Sequence, residues 1–290
     1  MTEGAPIPAG ELLARARERL AAAPFAPPRR EALLLLGHVL GLSEAQVLAR
    51  PERAVEAPAA ARFEALVERR LGGEPVAYLT GVKEFYGRPF AVDPRVLIPR
   101  PETEHVIEAA LAAPLPPRPR ILDLGTGSGC LAVTLALELP GARVVATDAS
   151  PAALAVAAAN ARRLGAAGVR CAAADRYAGL DLAAFDLVVA NPPYIDPADA
   201  ASLSPEITGF EPHAALFAPG RGEAMLADLI AGAAALRPGA SLVVEIGRGQ
   251  LQALRRHAAP AGLHVAAVID DYAGIPRAIR LERTGEEAPG

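Results

Sequence analysis

Apolar positions recur at helical spacing through residues 1–80. Leu12, Leu13, Ala16 and Leu20 form one stripe, Leu33, Leu36, Val39 and Leu40 a second, and Phe63, Leu66, Val67 and Leu71 a third. Pro27 and Pro28 punctuate the first join, and Gly72-Gly73 stops the third segment. The pattern predicts a small all-α N-terminal domain over 1–80. From Val82 to Ile98 the period changes, with Phe85, Phe90, Val92, Val96 and Ile98 in short extended stretches around Gly87-Arg88-Pro89. That predicts a β-hairpin linker over 81–100. Pro101 then suits the first turn of a helix reaching about Ala113.

The remainder alternates. RILDLG, RVVATD, VRCAAAD, FDLVVANPP and SLVVEIG read as strands; GCLAVTLALEL, PAALAVAAANARRL, MLADLIAGAAALR and QLQALRRHAA read as helices. Uniformly apolar strands between amphipathic helices predict a parallel α/β sheet covered on both faces. HVAAVID and RAIRLE close the series without a helix between them, so one of the two should run antiparallel. This domain is expected over 101–284, with a flexible tail over 285–290.

Composition narrows the class. Of the 290 residues 52% are apolar but only 4% aromatic, so the core must be built from Leu, Val, Ile and Ala. A net charge of −4 argues against holding nucleic acid through its backbone charge. Cys130 and Cys171 stand far apart with no CxxC or His-rich spacing, so neither a disulfide scaffold nor a metal site is expected. The N-terminus lacks the apolar segment of a secretory signal, and no apolar run reaches the roughly 18 residues that span a bilayer. A cytoplasmic protein with no membrane attachment is expected.

Two segments carry candidate chemistry. The first, Asp123-Leu124-Gly125-Thr126-Gly127-Ser128-Gly129, follows a buried strand and opens a helix. Gly125, Gly127 and Gly129 let the backbone turn tightly and approach a ligand, and Thr126 and Ser128 line the same loop. Such loops serve nucleotide cofactors of many kinds, but the spacing here is GxGxG followed by Cys130, not the GxGxxG of dinucleotide binders. Asp123 stands where a carboxylate can take the ammonium of a methionine moiety. Asp148, at the end of the next strand, is placed for both hydroxyls of a ribose; as a plainer alternative it caps the helix beginning near Pro151.

The second segment, Asn191-Pro192-Pro193-Tyr194, closes FDLVVA. In isolation it is equally an ordinary loop. At the carboxyl edge of a sheet that carries the glycine loop, it would lie beside the cofactor's sulfonium. An amide or exocyclic amino nitrogen is a poor nucleophile because its lone pair is delocalised, on the scale of the roughly 18–20 kcal/mol barrier to amide rotation. An acceptor pair facing its two N–H groups, the Asn191 side-chain oxygen and the Pro192 carbonyl, would favour loss of planarity and strengthen in the transition state. Pro193 stiffens the loop and Tyr194 offers a flat face to a planar group.

These residues resemble the release-factor glutamine methyltransferase family (HemK/PrmC type). EPVAYLTGVKEFYGRPF, VLIPRPETE, ILDLGTGSG, ANPPYI, FEPHAAL, VVEIG and AGIPRAIRL fall in that family's order over nearly the whole chain. NPPY is shared with adenine-N6 DNA methyltransferases; VLIPRPETE is much more specific. The resemblance implies a Rossmann-like class I methyltransferase with a seven-stranded, mostly parallel sheet and a helical domain that recognises release factors. It also implies S-adenosyl-L-methionine as cofactor, S-adenosyl-L-homocysteine as product, and the glutamine of the GGQ loop as substrate. With neither an added domain nor an obvious basic stripe in the sequence, no stable nucleic acid partner is expected. A sister enzyme acting on a ribosomal protein, an adenine methyltransferase and a non-catalytic cofactor binder are the alternatives. One departure stands out: the family often carries an aromatic directly after the acid ending the third strand, whereas Asp175 is followed by Arg176 and then Tyr177. Either of the latter two is a candidate adenine platform.

Arg100, Glu102 and Thr103 are candidates for the methionine end or, equally, for capping the following helix. His213 reads as a packing residue. Arg29-Arg30, Arg69-Arg70, Arg162-Arg163 and Arg255-Arg256 read as solvated helix faces, and both cysteines as small core residues.

Overall fold

The computed structural model describes residues 5–23 and 27–284. The expected tail, 285–290, lies outside them. The chain forms two compact units, Met1–Val82 with Ser202–Phe210, and Lys83–Ala201 with Glu211–Gly290.

In the first unit, a two-residue strand β1 (Ile7–Pro8) precedes α1 (Ala9–Leu20), α2 (Pro28–Leu40) and α3 (Glu44–Leu48). A second short strand, β2 (Ala54–Val55), pairs antiparallel with β1 and leads to α4 (Ala57–Leu71) and α5 (Val76–Thr80). Leu12, Leu20, Leu35, Leu36, Phe63 and Val67 form a common core. Arg69 and Arg70 do not share the solvated face expected of them. Adjacent helical residues point about 100° apart, so Arg69 faces out to Glu74 while Arg70 falls on the Phe63–Val67 stripe and is 1% exposed. Its guanidinium donates to Glu31 at 2.9 and 3.0 Å and lies 2.8 Å from Glu206.

The second unit opens with a hairpin, β3 (Val82–Phe85) and β4 (Arg88–Ala91), whose turn residues Tyr86 and Gly87 both have positive φ, 50° and 71°. Phe85 and Phe90 meet edge to face, centroids 6.0 Å apart, and lie in the same core cluster as Ile121 and Leu135. Then come α6 (Glu104–Leu111), β5 (Arg120–Leu124), α7 (Cys130–Glu138), β6 (Arg143–Asp148), α8 (Pro151–Leu164), β7 (Val169–Ala173) and β8 (Leu187–Ala190). Two short helices, α9 (Pro205–Phe210), which belongs to the first unit, and α10 (His213–Leu216), precede α11 (Glu223–Ala233). Finally β9 (Ser241–Glu245), α12 (Leu251–Ala258), β10 (Leu263–Asp270) and β11 (Pro276–Arg283) complete the sheet.

The seven strands lie in the order β10-β11-β9-β8-β5-β6-β7. The strands from β9 to β7 in this order pair parallel, whereas β11 runs antiparallel to both its neighbours. This is the seven-stranded, mostly parallel α/β sheet expected. Its pleat splits the apolar strands between two cores, Ile121, Leu187, Val189 and Val243 on one face and Leu122, Val188, Leu242 and Val244 on the other. From β5 the chain moves outward to β6 and β7, then returns to β8 on the opposite side of β5. That reversal is the point where open α/β sheets bind ligands, beyond the carboxyl ends of the strands.

Candidate active site

The register brings the predicted residues to this edge. Leu124 pairs with Thr147 on one side and Ala190 on the other, and Ala190 pairs with Val244. Gly125, Asp148, Asn191 and Glu245 are therefore the next residues along four neighbouring strands. In the glycine loop, Gly125, Gly127 and Gly129 have φ of 68°, 54° and 83°, a conformation that disfavours any side chain. A Cβ on Gly129 would sit 3.1 Å from Ala157, so the helices α7 and α8 close over it.

Asp123 lies beneath the loop at 0% exposure. Its Oδ2 accepts from Thr126 Oγ1 at 2.6 Å and from the Ala132 amide at 3.1 Å. Its Oδ1 has no hydrogen-bond partner among the described residues. Burial raises the carboxyl to about 7 against these two donors, and the nearby Asp148 adds to the rise. A bare, buried carboxylate oxygen fits a cationic group such as an ammonium. Ser128 is likewise buried, with its hydroxyl beside the Cys130 thiol.

Asp148 remains half-buried, with Oδ2 accepting from Gly127 N at 3.0 Å and Oδ1 from Ser150 N at 2.8 Å. The cap of α8 is Ser150, whose Oγ accepts from Ala153 N at 3.2 Å, so the plainer alternative for Asp148 does not hold. Past β7, Asp175 is exposed and Arg176 turns in the left-handed region, φ 53°, ion-paired with Asp228 and Asp175. Tyr177 is committed elsewhere. Its hydroxyl donates to the Leu229 carbonyl at 2.9 Å and its ring occupies the space a Cβ on Gly232 would need.

Asn191, Pro192, Pro193 and Tyr194 are all half-buried. Two glycines cradle this loop: a Cβ on Gly222 would stand 2.7 Å from the Pro193 carbonyl oxygen, and one on Gly247 2.9 Å from the Tyr194 ring. Asn191 Nδ2 donates to Thr103 Oγ1 at 3.0 Å, Thr103 Oγ1 donates to Glu245 Oε2 at 2.6 Å, and the Tyr194 hydroxyl donates to Glu245 Oε1 at 3.2 Å. Burial pushes Glu245 up to about 7; the Thr103 and Tyr194 hydroxyls and the Arg277 charge work against that rise, while Glu102 adds to it. Burial, then Glu245, pushes the Tyr194 phenol upward, so it stays a hydroxyl donor.

Comparison with known proteins decides the family. Residues 11–81 match the PrmC N-terminal domain and residues 107–206 the methyltransferase small domain. A release factor glutamine methyltransferase of Bordetella pertussis is 48% identical over 258 residues, 86% of this chain and 93% of its own length. One of Moorella thermoacetica is 44% identical over 280 residues, 95% of this chain and 99% of its own. The chain belongs to the release factor glutamine methyltransferase family. A solved methyltransferase from Pyrococcus furiosus shares the fold, with a TM-score of 0.51 at 17% identity over 78% of this chain and 100% of that one.

Set in this methyltransferase, other residues take clear places. Thr103 makes no cap hydrogen bond to α6 and joins the Asn191–Glu245 network instead. Arg100 pairs with Glu211, which also accepts from Ile98 N at 3.0 Å, so the FEPH glutamate holds the VLIPRP segment. His213 packs edge to face on Phe217 at 5.4 Å. Glu211 and Glu245 escaped the sequence reading; a lone acid inside VVEIG, an otherwise apolar strand, was the available signal for Glu245. Among the described residues no His, Cys, Asp and Glu cluster could hold a metal, and no helix is long and apolar enough to cross a membrane.

Proposed function

We propose that this methyltransferase transfers the methyl group of S-adenosyl-L-methionine to the side-chain amide nitrogen (N5) of the glutamine in the GGQ motif of peptide chain release factors. The observation that carries this reading is the Asn191–Tyr194 loop at the switch point, one strand from a glycine loop built over the bare carboxylate oxygen of Asp123. The name borne by relatives that match nearly end to end supports the substrate.

The chain's own groups fit the cofactor. Asp123 Oδ1 suits the ammonium, the open space above Gly125 and Gly127 leaves room for close approach, and Asp148 keeps lone pairs for ribose hydroxyls. Arg176, the more exposed of the two candidate platforms, is assigned to the adenine. When bound, the cofactor supplies an electrophilic methyl on a sulfonium. Asn191 Oδ1 and the Pro192 carbonyl oxygen accept the two N–H groups of the substrate amide. Those hydrogen bonds strengthen as the nitrogen loses planarity and gains positive charge, so they favour the transition state over the ground state. Tyr194, held by Glu245, lends its ring to the planar amide. The proton leaves after transfer, so no general base is required before attack.

A glutamine side chain offers few atoms for selection. Remote contacts must choose among glutamines and orient the right one, and we assign that docking to the helical unit. No stably held nucleic acid and no membrane are expected. Two free cysteines, Cys130 and Cys171, suit a reducing cytoplasm. The test is to incubate the protein with isotope-labelled cofactor and a purified release factor and locate the label by mass spectrometry. Label on the GGQ glutamine is expected; an unlabelled release factor, or label on any other residue of it, would overturn the reading.

A further inference from the structure

Resting on that reading, we infer that Glu245 and Thr103 are positioning residues that decide which arm of the Asn191 amide faces the substrate. The two arms of an amide are nearly the same size, so sterics alone scarcely distinguish its two orientations. Only one is productive. With Oδ1 toward the substrate the loop presents an acceptor to an N–H; turned over, it presents donors to donors.

Hydrogen-bond accounting selects the orientation. Above pH about 7 Glu245 is ionised and accepts only. Thr103 has one hydroxyl proton, and at 2.6 Å from Glu245 Oε2 that proton is committed to the carboxylate. The Thr103 oxygen can then only accept, and the partner 3.0 Å away must be the Nδ2 arm of Asn191. The Oδ1 arm is left for the substrate. The second carboxylate oxygen takes the Tyr194 hydroxyl at 3.2 Å, so one carboxylate fixes both ends of the tetrapeptide.

The frame for this relay is rigid. Val244 and Ala190 are paired in the sheet, so Glu245 and Asn191 leave adjacent strands side by side. Glu245 and Thr103 are each 1% exposed, which keeps water from substituting for either partner. A buried carboxylate raised by desolvation costs stability, so its retention for packing alone is hard to rationalise.

The experiment compares full-length wild type with Thr103→Val, Thr103→Ser and Glu245→Met at pH 8, with saturating cofactor and a purified release factor. In Thr103→Val the amide loses its selector. In Glu245→Met the freed Thr103 proton can turn toward Asn191 and draw its oxygen inward. Both should lower kcat at least tenfold, with cofactor Kd and release-factor KM changed less than threefold. Thr103→Ser should recover most of the kcat lost in Thr103→Val, and Glu245→Met should melt no lower than wild type. A kcat for Thr103→Val within twofold of wild type, or a loss that follows weakened cofactor binding or a lowered Tm, would overturn the inference.

A second readout needs no substrate. The side-chain amide protons of Asn191, followed by nitrogen-15 NMR, should exchange slowly in the wild type and at least tenfold faster in Thr103→Val; equal exchange would overturn the orientation. If the wild type methylates no release factor while the amide behaves as expected, the substrate assignment fails and the positioning role stands.

Discussion

Asp123 has one carboxylate oxygen satisfied and the other bare, and under the proposed function this asymmetry sets how the cofactor should bind. Its carboxyl, raised to about 7, is the form that must ionise to receive an ammonium. Cofactor affinity measured by calorimetry should therefore be flat above pH about 7 and fall by up to tenfold per unit below it; Asp123→Asn should bind weakly at every pH. Stability should move the other way. A folded-state value above the unfolded value of about 3.9 means that the native protein keeps a proton the unfolded chain has released. Asp123 and Glu245 thus each make the free protein less stable as pH rises from about 4 to 7. Asp123→Asn should raise the melting temperature of the catalytic unit at pH 8, by differential scanning calorimetry, while losing the cofactor. Asp148 provides a different test, because its lone pairs are offered to neutral hydroxyls. Hydrogen bonds to a charged group are worth about 1.5–3 kcal/mol each, so Asp148→Ala should weaken cofactor binding at least tenfold at pH 8. An unchanged Kd in the folded variant would remove Asp148 from the ribose.

Among the elements, those legible in the sequence are the ones whose signals are local and repeated. Helix α8 runs from Pro151 to Leu164 as its pattern predicts, bounded by the Ser150 cap and by Gly165 in the left-handed region. The antiparallel edge was legible because no helix separates β10 from β11, though the text of the chain did not say that β11 inserts between β9 and β10. Helices α3 and α5 span five residues each, too few for a period to show. The Glu245 network was illegible for the opposite reason: its partners lie 142 and 51 residues away in the chain, and only the sheet register brings them together. The loop after β8 depends on a neighbour of the same distant kind. Gly222, at φ 70°, leaves no space for a Cβ beside the Pro193 carbonyl. Gly222→Ala adds about 1–2 kcal/mol of left-handed strain and must also push the Asn191–Tyr194 backbone aside. Its kcat should fall at least tenfold with cofactor Kd unchanged; normal turnover would mean that the loop tolerates displacement.

Over the whole molecule, the two units keep separate cores, and the buried Arg70 meets Glu31 and Glu206 within the helical one. Removing one member of a buried, hydrogen-bonded ion pair costs about 3–5 kcal/mol because the remaining charges are left uncompensated. Arg70→Ala should therefore destabilise the helical unit by that amount, seen as an earlier calorimetric transition, while calorimetric cofactor binding is retained. If the unit docks the release factor, methylation of the intact factor should fall at least tenfold at temperatures where the variant unit has melted; full activity there would leave the helices without that role. The path of the chain adds something that neither core explains. After the Asn191–Tyr194 loop the backbone contributes Ser202–Phe210 to the helical unit and then returns at Glu211. Neither unit is a continuous stretch of sequence. An engineer grafting the helical unit of one relative onto the catalytic unit of another would have to transplant two pieces, with the second cut falling a few residues past the reactive loop. Exchanging residues 1–82 alone would leave the resident Glu206 facing a foreign Arg70 environment. The helical unit and the Asn191–Tyr194 loop are thus spliced into one thread, and recombination at a single crossover cannot inherit one unit without disturbing the other.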